Sequence, residues 1–408
     1  MIIIIALLLS FTSQIFASDI EVKSLRTYSN DDQTSAPVIN YDQNSNASIT
    51  IEFDINASYS PSLNIVFKFC DKNWRPYENM FLSNQGFNTE YNLWYDDLPQ
   101  TVKNARYHYK GKFPDKNVTF PFSGKWMYYI TDSQDNSIIY GSGKFLVISS
   151  KVSLNVNIQK SRMEGTISSN NARDRMFQIS AKFVLPDSLF QQYVQQVEII
   201  ENQKYSYSVI ITRNTNSDTR FYDWDGVNRF TFTAKDVLPE NEYRQTNLFD
   251  KSKYSPPETY AHFEGIETSN FYKFGKKDLN GGSRLMAFSE DYAQYMQVYF
   301  DIRPPEDFKG RIFLTGAFND WRVMPAYELL PDNGVYDIGV ELKRGIYDYQ
   351  YVTGDVVGNK VENIDWIYLE GNYWETNHNY YVLLYYSNPN KGGYDEIIGF
   401  AQIPSGGL

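Results

Sequence analysis

The residue types that most often carry chemistry are few in this chain. Its spacing of them points away from catalysis. Gly141, Ser142, Gly143 and Lys144 look like the end of a phosphate loop, but Phe145 follows the lysine where Ser or Thr must hold the metal, and the loop's first glycine is missing. The segment reads instead as a strand of small residues. The three histidines, His108, His262 and His378, stand far apart with no second His, Cys or paired carboxylate at ligand spacing, and Cys70 is the single cysteine. No metal site and no intramolecular disulfide follows from such a set. Each histidine reads as a scattered structural or surface residue, and Cys70, beside Phe67 and Phe69, as a buried small hydrophobe. No Gly-x-Ser-x-Gly elbow is present. With 49 acidic residues, a carboxylate pair at glycosidase spacing arises in any fold and so carries no weight.

Aromatic side chains are the remaining candidates for recognition. Trp366 and Trp374, flanked by Asp365, Asn372 and Asn377, with Tyr373 beside them, suit an exposed platform that stacks on a sugar or anchors a protein partner. Trp321, at the end of an Asn319–Asp320 turn, is placed where such a ring packs into a sandwich, and a binding role comes second. The row Tyr347, Tyr349 and Tyr351 reads as one face of a strand.

The elements that must position these residues are strands. The chain has 34 Tyr and 27 Phe, which favour pleated, half-buried surfaces over helices. Alternation is clean at Ile49, Ile51 and Phe53; at Ile65, Phe67 and Phe69; at Val152, Leu154, Val156 and Ile158; at Tyr205, Tyr207 and Val209; and at Phe230 and Phe232. Between residues 187 and 196 one helical turn competes with a strand from Val194 to Ile200. The polar stretches 243–260 and 273–283, the second with Gly281 and Gly282, read as mobile or exposed loops. Length and pattern together predict an all-β protein of tandem immunoglobulin-like β-sandwich domains: an N-terminal sandwich at 18–150, a middle β domain at 151–295 and a C-terminal sandwich at 296–408.

Residues 1–17 predict a signal peptide. An apolar run of about ten residues is too short to span a bilayer, and it ends in a polar stretch closed by Ala17. No cysteine lies near the cleavage site, so no lipid anchor is expected. The net charge of −11 falls wholly after Ala17, which argues against nucleic acid and against a polybasic membrane patch. No later run is long enough to insert in a membrane.

Two resemblances follow from the C-terminal quarter. Leu314, Gly316, Phe318, Asn319, Asp320 and Trp321, then Gly334 and Tyr336, then Gly345, Tyr347, Tyr349 and Tyr351, are similar to the glycogen-binding modules of amylolytic enzymes and kinases, which implies an early-set, glycogen-binding-like sandwich at 296–408. Glu370, Gly371, Asn372, Tyr373 and Trp374, the run 380–386, and Gly393 to Gly399 resemble the C-terminal part of the type IX secretion system plug proteins. Cys70 to Trp74 and Phe122 to Trp126 support this more loosely. Phe69 stands where many members carry His, so no role of that His carries over. The resemblance implies a periplasmic, non-enzymatic protein without cofactor, lying at the inner face of the outer membrane. It implies a large outer-membrane β-barrel translocon as partner, whose periplasmic opening the protein occludes when no cargo passes. A secreted or periplasmic carbohydrate-binding protein is the alternative, and an unseen polysaccharide hydrolase a third.

Overall fold

The computed structural model describes residues 20–163, 171–269 and 278–406. The signal-peptide reading at 1–17 and part of the 273–283 stretch lie outside these residues. Every sheet is built from strands whose alternate side chains meet a second sheet, and the described residues hold no α-helix, only short 3-10 turns. The stretch with two competing readings contains both: a 3-10 turn, Gln191–Tyr193, runs directly into the strand Val194–Glu201.

In the N-terminal sandwich the strands Glu21–Ser29, Ile49–Asn56, Tyr107–Phe113 and Asp96–Asp97 form one sheet. Val38–Asn40, Ile139–Ile148, Gly124–Asp132, Leu63–Cys70 and Thr89–Glu90 form the other. Aromatic rings fill the space between them: Phe67 lies 4.8 Å from Phe113, 5.3 Å from Phe120 and 6.0 Å from Phe145 between centroids. Such offset and edge-on packing adds to the area term of burial.

The second sandwich faces Asn155–Arg162, Arg175–Val184, Arg229–Val237 and Arg220–Trp224 against Val209–Thr212, Val194–Glu201, Asn379–Tyr386 and Glu396–Pro404. Its last two strands come from the far end of the chain. Val197 pairs with Leu384, and Ile199 with Val382. The expected C-terminal domain at 296–408 therefore stops earlier in space. Between residues 239 and 379 the chain leaves the second sandwich, builds a third, and returns to complete the second. The reason lies in Asn379–Tyr386, buried on both faces from Tyr380 onward. Only a central strand, with neighbours on both edges and packing on both sides, can cover such a run.

The third sandwich is organised by the long strand Gly345–Val357, which pairs in turn with Arg244–Asn247, Ser283–Leu285, Arg311–Gly316 and Lys360–Asp365. Tyr347, Tyr349 and Tyr351 point from it into the core, as one face of a strand requires. The facing sheet holds Glu258–Tyr260, Glu267–Thr268, Tyr295–Arg303, Val335–Lys343 and Leu330–Asp332. Gly281 and Gly282, expected in an exposed loop, are buried. A Cβ on Gly282 would stand 2.7 Å from the Thr34 carbonyl oxygen, so glycine is what lets two domains approach backbone to backbone here.

Candidate functional site

Trp366, read from sequence as part of an exposed platform with Trp374, is turned inward beside Trp321, whose ring packs into the sandwich as its place in the turn implies. Trp321 ends a tight turn in which its amide donates to Gly316 O at 3.0 Å and Gly316 N donates to Asn319 Oδ1 at 3.0 Å. Asp320 and Trp321 both hold positive φ, 53° and 57°, an arrangement that costs backbone energy in residues with a Cβ and needs surrounding contacts to hold it. Those contacts are the indole N–H donating to Gly281 O at 2.8 Å and the Tyr243 ring 4.3 Å away. The ring is 1% exposed. Trp366 is 9% exposed and packs edge-on to Tyr207 at 4.9 Å. The expectation of an exposed Trp366 is thus corrected. The polar neighbour that suggested exposure, Asp365, instead caps a turn by accepting from the amides of Ile367 and Tyr368.

What these rings receive is a cation of the same chain. Lys204, in the loop after Val194–Glu201, places its ammonium 4.3 Å from the Trp366 centroid, 5.1 Å from Tyr243 and 5.6 Å from Trp321. It pairs with Glu240 and, at 3.3 Å, with Glu201. Burial alone would discharge it, but the two carboxylates outweigh burial and raise its pKa. A desolvated ammonium held by rings and carboxylates is a clasp between the second and third sandwiches.

Trp374 and Tyr373 are half-buried at the other side of that junction. The Trp374 N–H donates to Met176 O at 3.0 Å, and the guanidinium groups of Arg162 and Arg175 lie 4.8 and 5.4 Å from its ring. Arg175 also lies 5.6 Å from the Tyr373 ring. These faces, too, already carry cations of their own chain.

His378, expected to be incidental, stands beside the clasp. Its Nδ1 is 2.8 Å from Glu201 Oε1 and its Nε2 donates to Asn241 O at 3.0 Å. Burial pulls the imidazole pKa down, but the Glu201 carboxylate overcomes it and lifts the value to about 9. Glu242 and Asp278 approach the same ring closely enough to suggest a metal triad. Nε2 is engaged by Asn241 O and Nδ1 faces the Glu201 carboxylate, so a protonated ring here competes with a cation for the same oxygens. His108 likewise sits at a junction, its Nδ1 2.7 Å from Asp54 and its ring stacked on Phe288 at 4.0 Å.

One rule joins these observations. Each pair of sandwiches is locked by a buried lysine among carboxylates. Lys343 meets Asp54 at 2.6 Å between the third and first, with Tyr295 also donating to Asp54 at 2.8 Å. Lys125 meets Glu198 at 2.8 Å between the first and second, where Tyr385 donates to the same carboxylate at 2.7 Å. Lys204 closes the third pairing. Where all three bodies meet, a cavity of about 140 Å³ is lined by Thr27, Tyr128, Lys144, Tyr205, Trp321 and Arg322. The small residues around Lys144 have their own reason: Gly143 lies under the Tyr128 ring, which leaves no room for a Cβ.

Residues 22–149, the first of these locked bodies, match the family model described as type 9 secretion system plug protein 1st domain. The N-terminal sandwich is a type 9 secretion system plug domain. No curated protein matches the chain. The crystal structure of a hypothetical protein from Parabacteroides merdae is similar over 94% of this chain and 97% of its own, at a TM-score of 0.76 and 18% identity. The arrangement of three sandwiches is thus a shared fold. A 1.5-MDa bacterial ice-binding adhesin aligns at a TM-score of only 0.15 and 10% identity, covering 95% of this chain and 98% of its own, and carries no weight.

The plug domain also holds a feature that sequence reasoning missed. Between Tyr77, whose amide donates to Phe69 O, and Leu93, whose amide donates to Leu63 O, the chain runs as a strap along the outer edge of Leu63–Cys70. Leu82, Thr89 and Leu93 point into the core, while Met80, Phe81, Phe87, Tyr91 and Trp94 point to solvent. Phe81 is 87% exposed and Trp94 91%. The available signal was a run of large apolar residues broken by Asn and Gly with no alternation.

Proposed function

We propose that the protein is a periplasmic plug that occludes the opening of the type IX secretion translocon in the outer membrane when no cargo passes. The observation that carries this reading is the plug-domain match over residues 22–149. The locked interfaces support it: a body whose three parts share buried ion pairs and apolar clusters moves as one piece, and a stopper must resist deformation in a wide opening. Among the described residues no helix is long and apolar enough to cross a membrane. The role needs no covalent chemistry and no cofactor. The carbohydrate-binding alternative relied on open aromatic faces at Trp321, Trp366 and Trp374, and those faces are taken by Lys204, Arg162 and Arg175. Affinity purification from detergent-solubilised envelope tests the reading. The protein should co-purify with a very large outer-membrane β-barrel and pass through an α-glucan column unretained. Retention on the glucan without the barrel would reverse the assignment.

A further inference from the structure

We infer that the strap over residues 77–95 is the surface by which the plug domain docks on a protein partner with an apolar seat rimmed by Lys and Arg; on the plug reading proposed above, that partner is the translocon. Phe81 and Trp94 stand almost fully out of the domain, at 87% and 91% exposure, although the adjoining core accommodates many aromatic rings. Solvated rings of this size are costly on a soluble surface and mark contact sites.

The strap is held in shape before any contact. Asn79 Oδ1 accepts from the Phe81 amide at 2.9 Å, Asn84 Nδ2 donates to Thr119 O at 2.7 Å, Asn88 Nδ2 donates to Ser83 O at 2.8 Å, and Asn64 Oδ1 accepts from the Asn92 amide at 3.0 Å. Asn84, Gly86 and Asn92 take positive φ at its bends, a conformation that Asn and Gly tolerate best. The backbone carrying the rings is therefore ordered already, which lowers the entropic cost of binding.

Charge chooses the class of occupant. From residue 76 to residue 102 the chain carries Glu78, Glu90, Asp96 and Asp97 and no Lys or Arg. On the adjoining loop Asn117 Nδ2 donates to Glu90 Oε2 at 2.9 Å, and Lys116 follows Asp115 in the sequence. An acidic rim repels an anionic lipid surface and favours a basic protein rim.

The test uses the mature full-length chain and the purified translocon barrel in detergent. Phe81→Ser with Trp94→Ser should weaken binding by at least about 30-fold, as expected for two central aromatic anchors. Glu78→Lys with Glu90→Lys should slow association most at low salt. Leu330→Ser, an exposed apolar control in the third sandwich, should change neither, and all variants should melt like the parent. If the parent binds the barrel and the Phe81/Trp94 variant binds equally well, the strap is not the interface while the plug reading stands. If the parent does not bind the barrel, the plug reading fails and this inference with it. Strap-dependent binding to anionic vesicles, or strap-dependent self-association in light scattering, would overturn the choice of partner.

Discussion

Replacing Lys204 by methionine should loosen the junction between the second and third sandwiches more than any comparable change on the surface. The substitution keeps the unbranched stem and removes only the ammonium that lies 4.3 Å from the Trp366 centroid and pairs with Glu240 and Glu201. Glu201 keeps His378 at 2.8 Å and the Tyr243 hydroxyl at 2.9 Å. Among the described residues, the Glu240 carboxylate keeps the Gln350 amide at 3.3 Å as its hydrogen-bond donor. A buried carboxylate stranded in this way costs about 3–5 kcal/mol. Glu240→Gln in the same chain removes the stranded charge, so the double variant should regain most of the loss, with a coupling of about 2 kcal/mol or more. Urea denaturation followed by tryptophan fluorescence is a suitable assay, because Trp321 and Trp366 report on this junction directly. A Lys204→Met protein within about 0.5 kcal/mol of the parent, or single changes that simply add, would refute the clasp.

Stability should also depend on pH in a defined direction. His378 is raised from 6.5 to about 9, so its contribution is full below pH 6.5 and is lost as pH rises through 9; Glu201 is lowered to about 2, burial opposing and Lys204 and His378 prevailing, so its contribution is full above pH 4.5 and is lost toward pH 2. Melting across pH should show greatest support from this pair between about 4.5 and 6.5, and His378→Gln should flatten the fall between 6.5 and 9. Trp366→Ala and Trp374→Ala should each lower stability by about 3 kcal/mol in chemical denaturation, as packed rings do and exposed anchors do not. Burial pushes the Cys70 thiol up to about 12, so a maleimide at pH 8 should label it only after denaturant is added.

Strands were legible in this sequence because period-two alternation is local: Ile49, Ile51 and Phe53 point into the core as read. The other face of that strand was not legible. Thr50, Glu52 and Asp54, the polar members of that alternation, are buried too: Lys343 and Tyr295 of the third sandwich reach Asp54, and Tyr28, Arg26 and His108 gather round Glu52. Nothing within a strand announces a cover supplied some 290 residues later. The run 380–386 did carry a sign of its place, since an apolar stretch without alternation belongs to a central strand, but it does not name its neighbours. Trp366 and Trp374 read as an exposed platform, whereas the fold buries the first and half-buries the second. Their partners, Lys204, Arg162 and Arg175, are single cations in unremarkable contexts that only the folded chain assembles.

The occlusion role is tested most directly by the permeability of the outer membrane. Deleting the gene should admit a large hydrophilic antibiotic that the intact membrane excludes, while cargo export continues at least in part, and restoring the parent chain should close the barrier again. A deletion strain as impermeable as its parent would contradict the account.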